Sequence, residues 1–279
     1  MKLGIDMGGM SIKMGLVNEE NKIIGRITIP TDLTVPYQTL VERMADAVRQ
    51  MLENAGMTLE QCGGIGIGSP GTIDAKQGVI LYSNNFGWEN VPIVEELKKH
   101  LDTRIEIAND ADAAALGEVC AGAAEGAENA VLLTLGTGVG SGVILDKKIF
   151  RGAMPGGCEL GHLSIRYDGI RCTCGRKGCL EAYASASALL RIAREKAAEH
   201  PESIMNEMCG NDLEQMNGKI PFDAAKAGDE AGMETVKEYE GYLACGIANV
   251  INTFRPEKVI LGGGVAAQKD NLTAPLRIW

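Results

Sequence analysis

The sequence predicts an α/β fold built from two similar domains. Three observations predict it. Apolar runs that end in glycine recur at 3–9, 65–71, 130–142 and 258–264. Segments of helical periodicity lie between them. The strand–glycine–loop pattern occurs early, at Asp6, and again in mid-chain, at Gly136. Strands alternating with helices mean α/β. The repetition predicts a small domain over 1–115 and a large one over 116–279, meeting near 108–120 with a cleft between them.

The elements follow in order. Residues 3–7 read as a buried strand that runs into Gly8-Gly9, and 12–17 return as its hairpin partner. A helix over 37–55 places Leu40, Val41, Met44, Val48, Met51 and Leu52 on one face and stops at Gly56. The run Ile65-Gly66-Ile67-Gly68 is a strand leading into Ser69-Pro70-Gly71, and Val79-Ile80-Leu81 is another apolar run. A short helix covers 93–101. Residues 105–108 form a strand, and an Ala-rich helix over 110–119 has Asn109 or Asp110 at its N-terminus. Asp112 and Glu118 read as charges on that helix's surface. Residues 130–135 and 143–145 suggest a second hairpin. A helix over 184–200 stops at Pro201, and a long one over 230–254 ends before Pro256. Residues 258–261 are the last strand, entering Gly262-Gly263-Gly264.

Composition bounds the function. The 279 residues are 45% hydrophobic and 23% charged, enough for one large domain or two packed ones. No apolar run approaches the ~20 residues of a membrane span. The first residues lack the apolar core of a secretion signal, which predicts a cytoplasmic protein. There, eight cysteines are thiols or metal ligands rather than disulfides. A net charge of −10 argues against nucleic-acid partners, which need a basic face. A nucleotide is compatible with it, because loop amides, helix N-termini and Mg²⁺ supply local positive potential.

One window concentrates chemistry. Glu159-Leu160-Gly161-His162 is followed by Cys172-Thr173-Cys174-Gly175-Arg176-Lys177-Gly178-Cys179-Leu180-Glu181. His162 with Cys172, Cys174 and Cys179 makes a closed tetrahedral zinc set, of the structural rather than catalytic kind, within segment 158–181. Buried thiols are the bland alternative, but Thr, Arg, Lys and Gly are not core residues. Glu159 and Glu181 bracket the cluster, and the metal would fix them to grip a polar ligand.

Elsewhere the signals are weaker. Asp6, Gly8, Gly9 and Lys13 suit a phosphate loop with a Mg²⁺-side carboxylate, or a plain hairpin turn. Gly136-Thr137-Gly138 is a second candidate phosphate loop. The Gly-x-Gly-x-x-Gly match at 66–71 opens no helix, so it is not a dinucleotide fingerprint. Asn109-Asp110 offers either an N-cap or a proton acceptor, and a helix N-terminus lowers an aspartate's pKa. Asn84 or Asn85 suits a sugar hydroxyl, or sits in a turn before half-buried Trp88.

Together these residues resemble the ROK family of sugar kinases and repressors, nearest its bacterial glucokinase members. The cysteine window is the most specific part of the likeness. The resemblance implies the two-domain actin-like ATPase (ribonuclease H-like) fold, with an interdomain cleft and a zinc knuckle. It implies an ATP:hexose 6-phosphotransferase of glycolysis, with ATP, Mg²⁺ and structural Zn²⁺. Asp110 would be the general base. Asn85, Asn109, Asp110, Glu159, His162 and Glu181 would bind the sugar. Gly8, Gly9, Lys13, Gly136, Thr137 and Gly138 would line the phosphates, with Asp6 on the Mg²⁺ side. Gly262, Gly263 and Gly264 would meet the nucleoside. His162 would serve both zinc and a sugar hydroxyl. A homodimer or homotetramer is implied as well.

Two departures stand out. Met10 replaces the usual threonine, removing a phosphate-side hydroxyl. The chain stops at Ala274-Pro275-Leu276-Arg277-Ile278-Trp279, where the family typically continues, which reads as a truncated or altered end. N-acetylmannosamine, mannose, fructose or allose are alternative substrates. A sugar-responsive regulator without catalysis is an alternative of another class. It would carry an N-terminal helix-turn-helix, yet here the first strand begins by residue 3.

Overall fold

A computed structural model of the chain describes residues 1–278, and Trp279 at the short C-terminal stretch lies outside them. The chain divides into two compact units, one of Met1–Glu128 with Gly142–Cys158 and one of Asn129–Ser141 with Glu159–Trp279.

Unit 1 opens with β1 (Lys2–Met7), in which Leu3, Ile5 and Met7 are buried and Gly4 and Asp6 face outward. That alternation is the period of a strand. β2 (Ser11–Val17) pairs with it antiparallel, setting Asp6 opposite Lys13 on the open face. β3 (Ile23–Pro30) extends the hairpin. α1 (Tyr37–Asn54) buries the six expected apolar residues, and the chain turns at Gly56, whose φ of 65° is left-handed. β4 (Ile65–Ser69) lies parallel to β1. β5 (Thr72–Asp74), β6 (Val79–Ser83) and β7 (Trp88–Val91) form a separate antiparallel sheet. After α2 (Ile93–Lys98), β8 (Ile105–Asn109) runs parallel to β4. The main sheet has the order β3-β2-β1-β4-β8. Its core joins Leu3, Ile5 and Ile67 to Met44, Val48 and Ile107.

β8 passes directly into α3 (Asp110–Ala121). Here the expected surface charges need correction. Asp112 is 3% exposed, and Glu118 is half-buried. Glu118 Oε2 accepts the Ala123 N–H at 2.7 Å and closes the helix end. In so Ala-rich a helix no apolar stripe marks which side is inward.

β9 (Ala130–Leu135) begins unit 2. β10 (Val139–Leu145) belongs to unit 2 up to Ser141 and then to unit 1, where its end pairs with β11 (Lys148–Ile149). The helix expected over 184–200 is α5 (Ala186–Glu199), and a short α4 (Glu181–Ala184) precedes it. Ser185 divides them, its hydroxyl accepting the Ala188 N–H at 3.1 Å as the cap of α5. α6 (Ile204–Met208) and α7 (Ile220–Lys226) lead to α8 (Glu230–Phe254), which has the expected bounds. Asp229 caps its start, and Arg255 at φ 47° ends it before Pro256. β12 (Lys258–Gly262) returns parallel to β9, and α9 (Asp270–Leu276) follows. Leu135, Val139, Leu180, Leu189, Tyr239 and Leu243 share one core. Beside Tyr239, Glu240 is 5% exposed, and burial pushes its carboxyl up to about 7. Among the described residues, no helix is long and apolar enough to cross a membrane.

Candidate active site

In unit 1 the turn after β1 is built by its own hairpin. The Gly8 N–H donates to the Ser11 carbonyl at 3.0 Å, and the Thr31 hydroxyl donates to the Gly8 carbonyl at 2.6 Å. A Cβ on Gly8 would sit 2.8 Å from that Ser11 oxygen, so the turn needs glycine. Gly9 faces the Asn85 side chain, whose Nδ2 lies 3.8 Å from where a Cβ would be. Asn85 is exposed in the turn between β6 and β7, anchored by buried Phe86 against Trp88 at a ring separation of 4.8 Å. Asn84 accepts from the Tyr82 hydroxyl at 3.4 Å. Met10 is 91% exposed beside the glycine pair, where it offers no hydroxyl.

The cap question resolves in favour of Asn109. Its Oδ1 accepts the Ala111 N–H at 2.9 Å, while its Nδ2 donates to the Gly71 carbonyl at 3.1 Å. Gly71, at φ 112°, has no room for a side chain against the Tyr82 carbonyl. The last glycine of the 66–71 match therefore positions Asn109 rather than a dinucleotide. Asp110 is the first helical residue; part of its surface reaches solvent, its carboxyl is partly desolvated, and its Oδ1 accepts the same Ala111 N–H at 2.9 Å. Its pKa is raised, not lowered as the helix terminus alone implies. Loss of water around the carboxyl raises it most; the Ala111 N–H opposes this, and the like charge of Asp6 reinforces it.

Unit 2 holds its glycine turn differently. The Gly136 N–H donates to the Gly138 carbonyl at 3.0 Å, and the Gly136 carbonyl accepts from the Ala186 N–H at 2.8 Å. The Ser187 hydroxyl donates to the Thr137 carbonyl at 2.9 Å. Glu181 Oε2 accepts the Val139 N–H at 3.1 Å and fills the space a Cβ on Gly138 would take. Gly263, at φ 83°, lies against the Leu135 carbonyl, so the 262–264 turn sits at the end of β9.

The cysteine window folds into a knuckle. The donor atoms of His162, Cys172, Cys174 and Cys179 all lie within 4.8 Å of one another. Cys172 Sγ is 3.6 Å from His162 Nδ1, and Cys174 Sγ is 3.6 Å from Cys179 Sγ. A tetrahedron with zinc–ligand arms of about 2.0–2.3 Å has edges of about 3.3–3.8 Å, and both 3.6 Å separations fall in that range, so the donor set fits Zn²⁺. With Nδ1 turned to the thiols, Nε2 of His162 remains for another partner. The Arg176 backbone N–H brings the Cys174 thiol down to about 6, whereas burial pushes Cys179 up to about 12. A cation would let all three become thiolates together. Gly178, at φ 78°, admits no side chain against the Arg166 carbonyl.

The 160–162 turn, whose His162 N–H donates to the Glu159 carbonyl at 3.0 Å, rests on β10. There the Leu160 N–H donates to Ser141 Oγ at 2.9 Å, and Gly161 abuts Val139. Glu159 is exposed at the head of that turn. Sequence reasoning passed over Thr173, Ser141, Ser187 and Thr31. Of these only Thr173 carried a local signal, lying between two candidate ligands.

Comparisons with known proteins identify the family. The chain matches the ROK family over residues 2–278. It is 37% identical to a glucokinase of Thermotoga maritima, over 99% of this chain and 85% of that protein. The crystal structure of a ROK family glucokinase from Streptomyces griseus, in complex with glucose and AMPPNP, is 31% identical with a TM-score of 0.78, covering 99% of this chain and 87% of that one. A xylose repressor of Caldicellulosiruptor bescii is 31% identical over 93% of the chain, which spans 65% of the repressor. The chain belongs to the ROK family.

Proposed function

We propose that the chain is an ATP-dependent hexose kinase that phosphorylates the 6-hydroxyl of glucose, on the two-domain actin-like ATPase fold. The observation that carries this reading is Asp110. It opens α3 beside Asp6, and desolvation holds it as a stronger base than an ordinary aspartate. In a ROK chain that group faces an alcohol to be activated.

Asp110 takes the hydroxyl proton as the sugar oxygen bonds to the γ-phosphorus. The bond from that phosphorus to the β–γ bridging oxygen breaks, and ADP leaves with the electron pair. Asp6 and Lys13, paired across β1 and β2, place a carboxylate for Mg²⁺ and a cation for phosphate beside the Gly8-Gly9 amides. Gly136, Thr137 and Gly138 give a second set of amides, and Gly262, Gly263 and Gly264 take the nucleoside. Asn85, Asn109, Glu159, His162 and Glu181 orient the sugar. Asn109 does so with a side chain already fixed by its cap and by Gly71, which suits positioning. When bound, Mg²⁺ would neutralise phosphate charge, and Zn²⁺ on His162, Cys172, Cys174 and Cys179 would stiffen the segment carrying Glu181. His162 then presents Nε2 to a hydroxyl with its tautomer fixed by the metal.

The test is coupled ADP release with Mg·ATP against glucose, mannose, fructose and N-acetylmannosamine. Sugar-dependent release, highest with glucose, is expected. Release highest with another sugar would reassign the substrate, and silence from zinc-loaded, folded protein would refute the kinase.

A further inference from the structure

We propose that Thr173, a residue with no assigned role, positions the 136–138 loop through Glu181. This rests on the reading above that the loop takes ATP phosphates. Glu181 is bound at both ends of its carboxylate. Oε2 accepts the Val139 N–H at 3.1 Å and occupies the space beside Gly138. Oε1 has two neighbours, the Thr173 hydroxyl at 3.0 Å and Cys172 Sγ at 3.5 Å.

Those two neighbours are not equivalent once a metal is present. Cys172 Sγ belongs to the donor set and would be taken up by the ion, whereas the Thr173 hydroxyl already donates to Oε1 at an ordinary hydrogen-bond length of 3.0 Å. Thr173 does not belong to that set and keeps its hydroxyl proton. Thr173 is therefore the donor that aims Oε1. With Oε1 held, Oε2 stays against Val139 and Gly138. The knuckle then reaches the ATP side of the site in two hydrogen bonds. The same carboxylate is among those assigned to the sugar, so its orientation serves both substrates.

Position 173 is exposed, and valine matches threonine in shape without the hydroxyl. Three measurements test the link on the full chain: zinc per chain by elemental analysis, AMPPNP affinity with Mg²⁺ by calorimetry, and KM for ATP. Thr173→Val should keep its zinc, weaken AMPPNP about fivefold or more and raise KM for ATP in parallel, as loss of a hydrogen bond to a charged group predicts. Thr173→Ser should behave as the wild type. Unchanged AMPPNP affinity in Thr173→Val would overturn the proposal, and so would loss of zinc, because the hydroxyl would then serve the knuckle itself. Should the valine variant fail to fold, Thr173→Ala decides by the same criteria. A wild-type chain that binds no AMPPNP removes the phosphate-loop reading and this proposal together. Normal wild-type binding with an indifferent variant removes the proposal alone.

Discussion

After β1, the Gly8-Gly9 turn is held by the hairpin that makes it, through Ser11 on β2 and Thr31 just beyond β3. After β9, the Gly136–Gly138 turn is held from 42 to 50 positions away, by Glu181 and Ser187. Both turns follow a buried strand and look alike in sequence. The first forms wherever its three strands pair. The second is held by residues of α4 and α5, one of them the Glu181 carboxylate that Thr173 of the knuckle also meets. Unit 1 thus carries a self-sufficient loop with the candidate base, whereas unit 2 carries a loop tied to the cysteine knuckle. Damage to the knuckle should reach ATP through the second loop and leave the first untouched.

The largest expected effect separates chemistry from both loops. Asp110→Asn removes the proposed proton acceptor but keeps the shape of the α3 start, where Asn109 supplies the cap. Turnover should fall by about 10²–10⁴-fold, the usual worth of a general base. Zinc content and glucose affinity should stay at wild-type levels. Single-turnover kinetics with the zinc-loaded protein would show it, and a near-normal kcat would end the case for Asp110.

Breaking the second loop's support comes next. Cys174→Ser takes one ligand from the set and leaves the remaining three with an open position. The variant should lose its zinc and raise KM for both hexose and ATP, by about tenfold or more, the scale on which supporting shells act. Its kcat should suffer less than that of Asp110→Asn. Should KM for hexose rise while KM for ATP stays put, the knuckle serves the sugar alone, and the contrast between the loops loses its basis.

This contrast also marks how far the sequence could be read. Local features were legible. The buried stripe of α1, the bounds of α8 and the glycine turns after β1, β9 and β12 follow from periodicity and turn chemistry. The His162–Cys179 donor set was legible because its ligands lie close in sequence and form an unmistakable class. Non-local features were not. Asp112 sits in an alanine helix whose polar and apolar sides look alike, and Gly157, far along the chain, lies against its buried carboxylate. Thr173 aims Glu181, and Glu181 holds Val139, by contacts that exist only once separate segments meet. The raised pKa of Asp110 belongs to the same class. The sequence shows the helix terminus that lowers it, whereas the crowding and the Asp6 charge that raise it are products of the fold.

The smallest expected effect uses that last point. Asp110 must be ionised to accept a proton, so kcat/KM should fall as pH drops through its pKa, which is raised above the ordinary aspartate range. Asp6 contributes to the rise by like-charge repulsion, after desolvation. Asp6→Asn removes that repulsion and should move the acid limb of the pH profile to lower pH. It should also lower the plateau, since Asp6 is assigned to the Mg²⁺ side. The position of the limb is separate from its height, so the two effects can be read from one profile. Cys174→Ser, which alters only the knuckle of unit 2, should leave the limb where the wild type has it. A limb that moves with the knuckle variant and not with Asp6→Asn would reverse the comparison, placing control of the base in unit 2 rather than beside it on β1.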